Sequence, residues 1–226
     1  MDKQAYEEAD VMQIAKGGLY WILSSLILFV IVSLLSFFMT GLVQRMLIFF
    51  SLVFALISIL LVVFFSYLDR KVGNGIVAVA DGIIRDVNTV KDEDVGNAFF
   101  ISTFMNIYHV HVNRLPIDGT IEKITHIPGS HLPAFTKESE RNERVILLIN
   151  TKMGLVKIIL IAGTVARRIV PYISKGNQVK KGEKISLIRL GSRVDVLLPK
   201  KMKLTIAVNK KDRVTAGVST IATSNA

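Results

Sequence analysis

The stretch Ile188–Val196, IRLGSRVDV, is the part of the sequence around which the fold is predicted. A Gly-Ser pair between apolar residues is usually a turn, because glycine adopts positive φ and serine bonds its own backbone. Here apolar and polar residues alternate on both sides of the pair, which predicts a strand that runs through it. Glycine inside a strand often marks a close approach to the backbone. In such a strand the Ser192 hydroxyl has the carbonyl carbon of Gly191 within reach.

After Val72 the chain has a strand-like pattern, in which short apolar runs are separated by Gly, Asn and Asp turns and no long helical period occurs. This pattern predicts a mostly β domain over residues 72–226, a barrel or sandwich of short strands with short connections. The chain contains no Cys. Disulfides, thiol nucleophiles and Cys-ligated zinc are therefore excluded.

A weak internal repeat indicates that this β domain resembles a barrel-sandwich. Ile169–Ile185 aligns with Leu204–Thr220 at a shift of 35 residues, and both copies carry Val-x-x-Gly after a polar turn. The same order of strand, turn and Val-x-x-Gly occurs in modules that carry biotin or lipoate, and Met202-Lys203 loosely resembles their lysine site. A membrane-anchored binding or carrier module without catalysis is therefore the alternative function. Such a module would normally include a long coiled coil, which this sequence lacks.

Residues 1–71 differ from the rest because they contain two uncharged apolar runs, 17–38 and 46–67. Each run has 22 residues, enough for a helix to cross a hydrocarbon core of about 30 Å. The connector 39–45 is short, so the two helices are predicted to form an antiparallel transmembrane hairpin after an N-terminal tail. The runs are too long for a signal peptide, and no cleavage site of small residues follows them.

Basic residues predict the orientation of this hairpin. Arg45 alone lies on the turn side, whereas Lys3, Lys16, Arg70 and Lys71 lie on the other side. The positive-inside rule therefore predicts a multi-pass protein of the cell membrane with the C-terminal domain in the cytoplasm. Most of the net charge of +10 lies after residue 140. With such an anchor, the charge favours an anionic membrane surface as partner, and no nucleic acid is expected.

Three residues form a candidate catalytic set. A serine hydroxyl activated by a histidine that a carboxylate orients is a recurrent arrangement, and Asp81, His111 and Ser192 supply these groups in chain order. The Asp-Gly pair at Asp81 is also a common turn pair. An ordinary serine hydrolase is disfavoured, because no G-x-S-x-G pattern surrounds Ser192.

The four histidines are also candidate metal ligands. His109 and His111 would share one face of a strand, but zinc requires a third ligand, which His126 or His131 would have to supply. No spacing indicates which of them does so, and no metal is predicted.

The region from Asp81 to Pro199 resembles the phosphatidylserine decarboxylase family, in particular its short bacterial and archaeal proenzymes. The last matching piece is the most specific because it resembles the family's self-cleavage site, although Leu190 stands where short members more often carry Phe. The matching pieces are Ala80–Gly82, Ser102–Phe104, Val110–Arg114, Pro116–Gly119, Pro128-Gly129, Glu140, Asn142–Arg144, Gly163, Ala166–Ile169, Gly182-Glu183 and Arg189–Pro199.

The resemblance implies a zymogen that becomes a pyruvoyl-dependent lyase by autocatalytic cleavage. Ser192 attacks the carbonyl of Gly191, the chain splits between them, and Ser192 becomes the covalent pyruvoyl cofactor that forms a Schiff base with the substrate. His111 acts as base and acid, and Asp81 orients it. Fragments 1–191 and 192–226 remain associated. The reaction is decarboxylation of phosphatidylserine to phosphatidylethanolamine, or of the archaeal ether-lipid equivalent, in phospholipid biosynthesis.

Two further expectations concern binding. His109 and Arg114 are candidates to bind the phosphate or carboxylate of the lipid, and basic pairs strengthen contact with an anionic membrane. The sequence leaves open the lipid backbone and the oligomeric state, for which a homo-oligomer is one option.

Overall fold

The computed structural model describes residues 12–15, 18–106, 108–130, 132, 141–163, 169–188 and 192–224. The chain divides between Asp69 and Arg70 into two compact units, two residues before the predicted boundary. The helices are α1 (Leu19–Phe37) and α2 (Gly41–Phe65), and the strands are β1 (Met12–Ile14), β2 (Ser66–Leu68), β3 (Ile76–Val77), β4 (Gly82–Asp92), β5 (Gly96–Met105), β6 (Val112–Arg114), β7 (Gly119–Ile127), β8 (Arg144–Thr151), β9 (Gly154–Ile161), β10 (Ile169–Pro171), β11 (Gln178–Val179), β12 (Lys184–Ile188), β13 (Ser192–Pro199), β14 (Leu204–Ile206), β15 (Arg213–Val214) and β16 (Thr220–Ser224). The prediction of a mostly β fold preceded by two apolar helices is confirmed.

The first unit is built on a helical hairpin. Buried Ser25 and Ser58 share a hydrogen bond of 2.9 Å between α1 and α2, a polar contact typical of helices packed in membranes. Both helices are long and apolar enough to cross a membrane, and only 11% of each apolar window is buried. Their apolar sides therefore do not form the core of a soluble domain.

The second helix begins earlier than predicted. It starts at Gly41 rather than near residue 46 and includes Gln44 and Arg45, so the connector is shorter than the predicted 39–45. Glutamine and arginine are good helix formers, which explains why the helix extends through the polar end of the run.

The second unit contains an antiparallel sheet of eight strands, in the order β11-β7-β8-β9-β13-β5-β4-β15, curled into a half-barrel. Two sheets of three strands accompany it, β10-β12-β6 and β14-β16-β3. Alternate residues of the long strands face one core, which includes Ile101, Leu147, Ile158 and Val196. This period of two agrees with the alternation in the sequence.

The internal repeat appears in the structure as two copies of one module. At the shift of 35 residues, β10, β11 and β12 correspond to β14, β15 and β16. Val179 and Val214 are each 6% exposed, and Gly182 and Gly217 have positive φ of 83° and 75°. Strands β11 and β15 pair at the two opposite edges of the eight-stranded sheet. The modules therefore close both edges of the half-barrel.

The strand predicted to run through Gly191-Ser192 falls partly outside the described residues, which stop at Ile188 and resume at Ser192. Strand β12 ends at Ile188 and pairs with β6 and β10, whereas β13 begins at Ser192 and pairs with β5 and β9. The two strands belong to different sheets, and alternation alone cannot reveal this because both sheets impose the same period.

Candidate functional site

Ser192 occupies the first position of β13, the strand that lies between β5 and β9 in the large sheet. It is 0% exposed. The register places it opposite Met105, and its Oγ donates a hydrogen bond to Met105 Sδ at 3.2 Å. A thioether is a weak acceptor, so among the described residues the hydroxyl is held only by a weak hydrogen bond. Leu190 and Gly191 lie outside the described residues.

His111 directly precedes β6, which pairs with β12 in one of the three-stranded sheets. The Ile188 N–H donates to the His111 carbonyl at 3.1 Å. Ile188 precedes Ser192 by four residues, a span of at most about 14 Å. On the other side, Met105 is opposite Ser192 and lies six residues before His111. Two short connections, each including residues outside the described part of the chain, thus limit how far His111 can lie from Ser192, and their contact stays a prediction.

His111 is 1% exposed, and this burial lowers its pKa to about 4. A hydrogen bond with the His109 backbone and the charge of Asp81 act in the opposite direction, and the His109 ring adds to the lowering. The imidazole is therefore neutral at pH 7. A neutral imidazole can accept a proton, as a general base requires.

Asp81 lies between β3 and β4 and is 8% exposed. Arg70 donates to both of its carboxylate oxygens, at 2.5 and 2.8 Å, and the Ala216 N–H donates to Oδ1 at 2.7 Å. Its charge raises the pKa of both His109 and His111. Asp81 is thus within electrostatic range of His111, and its role in orienting that ring stays a prediction.

His109 is half-buried in a turn closed by Asn106. The His109 N–H donates to the Asn106 carbonyl at 3.0 Å, and the Asn106 N–H donates to His109 Nδ1 at 2.9 Å. Because Nδ1 accepts, Nε2 carries the proton of the neutral ring. Burial lowers the His109 pKa, Asp81 raises it and Arg213 lowers it. Substrate binding by His109 stays a prediction.

Arg114 lies at the other end of β12 from Ser192. It pairs with Lys184, about 13 Å along the strand from Ile188. Its Nη1 donates to the Gly182 carbonyl at 2.9 Å, and a Cβ on Gly217 would lie 2.7 Å from its Cδ. Arg114 therefore packs between the Val-x-x-Gly turns of the two modules. These contacts favour a structural role over the predicted binding of lipid.

A buried ion pair follows Ser192 directly and was not predicted. Asp195 accepts from Ser102 Oγ at 2.6 Å and from Arg193 Nη2 and Nε at 2.7 and 3.0 Å. Burial raises the pKa of Asp195, while Arg193, Ser102 and Arg85 oppose the rise. The bond from Ser102 fixes β13 to β5, on the face opposite Ser192. The alternation of Arg193 and Asp195 in the sequence was the available signal.

Of the two remaining histidines, His126 lies among the described residues and forms a contact of its own. His126 Nε2 lies 2.9 Å from Glu143 Oε1, and His131 lies outside the described residues. Within the described part of the chain, no three His, Asp or Glu side chains are grouped to hold a metal ion.

Comparison with known proteins places this geometry in context. A family model described as Phosphatidylserine decarboxylase matches residues 57–222. A phosphatidylserine decarboxylase proenzyme of Streptomyces griseus is 44% identical over 159 residues, covering 70% of this chain and 71% of the relative. One from Thermobifida fusca is 46% identical over 151 residues, covering 66% and 68%. A putative archaetidylserine decarboxylase proenzyme of Methanosarcina mazei is 38% identical over 213 residues, covering 93% and 96%.

Proposed function

The chain belongs to the phosphatidylserine decarboxylase family, and from this premise we propose a proenzyme that cuts itself between Gly191 and Ser192. It is a carboxy-lyase that acts on the serine head group of a phospholipid. The observations that support the proposal are the full burial of Ser192 at the start of β13 and a buried, neutral His111 whose carbonyl accepts from Ile188, four residues before Ser192.

Self-cleavage begins with an acyl shift. His111 takes the proton of Ser192 Oγ, and Oγ bonds to the carbonyl carbon of Gly191. The C–N bond between the two residues breaks and the nitrogen takes up the proton, which leaves an ester. Removal of the α-proton of residue 192 then breaks the Cβ–Oγ bond and releases Gly191 as a carboxylate. Water replaces the nitrogen of the resulting dehydroalanine, ammonia leaves, and residue 192 becomes pyruvoyl.

The residues around Ser192 fit this group. The group would lie away from bulk solvent, because Ser192 and its neighbour Met105 are both 0% exposed. The pyruvoyl ketone supplies the electron sink that decarboxylation of an amino acid requires. His111 favours proton removal over proton donation at neutral pH, because its pKa of about 4 keeps it unprotonated. Its use as the acid that returns a proton to the α-carbon therefore requires that it first receive one within the site.

The two fragments are proposed to stay together after the cut. Strand β13 has a partner on each side in the large sheet, and β15 pairs with β4 in the same sheet. Strands β14 and β16 form a second sheet with β3. The piece 192–226 thus supplies strands to two sheets, and its hydrogen bonds do not depend on the bond that is cut.

The helical hairpin is proposed to anchor the enzyme in the cell membrane with the catalytic domain in the cytoplasm. The largely exposed apolar surfaces of α1 and α2 support the anchor, and the excess of Lys and Arg at the ends away from the hairpin turn supports the orientation. A lipid head group stays at the membrane surface, so a tethered domain meets its substrate there. The names of the relatives include both phosphatidylserine and archaetidylserine enzymes, so the head group is common and the lipid backbone is open.

The test uses the full chain purified in detergent. Intact mass is expected to show two pieces split before Ser192, with the shorter one lighter than the serine-started peptide by one ammonia and blocked at its N-terminus. Vesicles of phosphatidylserine or its ether-linked counterpart should release carbon dioxide. Ser192→Ala should stay whole and inactive, whereas Ser186→Ala, which changes another 0% exposed serine, should still be cut. A wild-type chain that stays whole would refute self-cleavage, and a cut chain inactive on both lipids would refute the activity.

A further inference from the structure

We propose that Arg70, which directly follows the membrane anchor in the sequence, is a positioning residue for self-cleavage. Arg70 would act through Asp81, by fixing the place and direction of that carboxylate. The inference rests on the proposed role of Asp81 towards His111.

The geometry of the pair is specific. The two guanidinium nitrogens of Arg70 each meet one oxygen of Asp81, at 2.5 and 2.8 Å. This fork-to-fork arrangement fixes the plane of a carboxylate as well as its position. The side chains of Arg70 and Asp81 are 22% and 12% exposed, so the pair is only partly screened by solvent.

Among the residues that the structure describes, the remaining support of Asp81 comes from the second Val-x-x-Gly turn. The Ala216 N–H donates to Oδ1 at 2.7 Å, and the Gly217 N–H donates to the Ala78 carbonyl at 2.8 Å. Without Arg70, one backbone bond would hold Oδ1, and the carboxylate would be able to rotate about it. The attraction between Asp81 and the His111 ring depends on their separation, so a rotating carboxylate would orient the ring less well.

Arg70 also lies at a special place in the sequence, between the membrane anchor and the β domain. Helix α2 ends at Phe65, and Arg70 is the first residue of the second unit. The residue that holds the predicted catalytic carboxylate therefore comes from the segment that leaves the membrane. Lys71, the next residue, is exposed and has the same charge, which makes it a matched control.

The experiment follows cleavage of the full chain made by cell-free synthesis in the presence of lipid nanodiscs. Arg70→Ala is expected to slow cleavage by about tenfold to a hundredfold, the range for a mispositioned catalytic group. Arg70→Lys should recover part of the rate, because it retains the charge but not the two-pronged contact. Lys71→Ala should cleave at the wild-type rate.

A double-mutant cycle with Asp81→Asn separates this inference from the proposed function. If Arg70 acts through Asp81, adding Arg70→Ala to Asp81→Asn slows cleavage no further. Unchanged or faster cleavage in Arg70→Ala, or independent losses that multiply, would overturn the role of Arg70 while leaving that of Asp81 intact. Normal cleavage in Asp81→Asn would instead overturn the proposed role of Asp81. Circular dichroism monitors folding, and should Arg70→Ala unfold, Arg70→Gln replaces it in the same cycle.

Discussion

A drop in pH is the sharpest test of the base assigned to self-cleavage. Burial lowers the His111 pKa from its ordinary 6.5 to about 4. At pH 5 a histidine with a pKa of about 4 is about 90% neutral, whereas one with a pKa of about 6.5 is about 3% neutral. The wild-type chain should therefore cleave at pH 5 almost as fast as at pH 7.5. A solvated base would cleave about thirtyfold more slowly.

The same shift affects stability with a defined sign. The unfolded chain binds a proton at His111 near pH 6.5 and the folded chain only near pH 4, so the unfolded state binds more protons between these values. Neutral His111 therefore contributes about 3 kcal/mol to the free energy of unfolding above pH 6.5, and this contribution is lost as the pH falls to 4. Cleavage must therefore be measured where the chain is still folded.

The assay is a pulse of cell-free synthesis with nanodiscs, followed by dilution into buffers from pH 4 to 8 and quenching in detergent for gel analysis. Circular dichroism at each pH reports the fold, and aliquots returned to pH 7.5 should resume the full rate. His126→Gln removes an exposed histidine and should leave the profile unchanged. His109→Gln should shift the pH profile of cleavage, because the His109 ring lowers the His111 pKa.

Two results would refute the reasoning. A midpoint near pH 6.5 in a folded chain would mean that His111 is not the buried base. Cleavage of His111→Gln at the wild-type rate would remove His111 from the step altogether.

Three further predictions concern the frame of the site, each measured by denaturation of the uncleaved Ser192→Ala chain. Asp195→Asn should lower the free energy of unfolding by about 3–5 kcal/mol, because it leaves a buried guanidinium without its carboxylate; a neutral result would show that the guanidinium can reach water. Gly82→Ala should lower the free energy of unfolding by about 1–3 kcal/mol, because its Cβ would lie 2.2 Å from the Phe104 carbonyl oxygen in β5. An unchanged free energy of unfolding would mean that β4 can move to make room. Val179→Ala and Val214→Ala should lower the free energy of unfolding by amounts that agree within about 1 kcal/mol. A larger difference would contradict the equivalence of the two modules.

Local patterns account for what the sequence predicted well. Hydropathy alone identified α1 and α2, and the repeated Val-x-x-Gly spacing identified two modules whose Gly182 and Gly217 share positive φ. Both signals lie within a few dozen residues. They also do not depend on which strand pairs with which.

Pairing over long distances accounts for what was missed. The partners of the site residues lie far off in the chain, 87 residues for Ser192 and Met105 and 93 for Ser102 and Asp195. Arg70 was visible only as a charge beside a membrane run, although its partner Asp81 is 11 residues away. Arg114 belonged to a recognisable motif, yet only its packing between two turns shows that it joins the modules. Residue type predicted the chemistry, but not which groups would meet.

The central position of β13 in the large sheet bears on whether folding or the proposed cleavage comes first. A long piece made without residues 192–226 would leave β5 and β9 each with a bare edge in the middle of a sheet. Such edges recruit strands from other molecules and lead to aggregation. Two separately synthesised pieces would therefore have to complete an interrupted sheet before they were protected from aggregation. For the proposed cleavage, this means that folding precedes scission and that the intact precursor acts as its own assembly template.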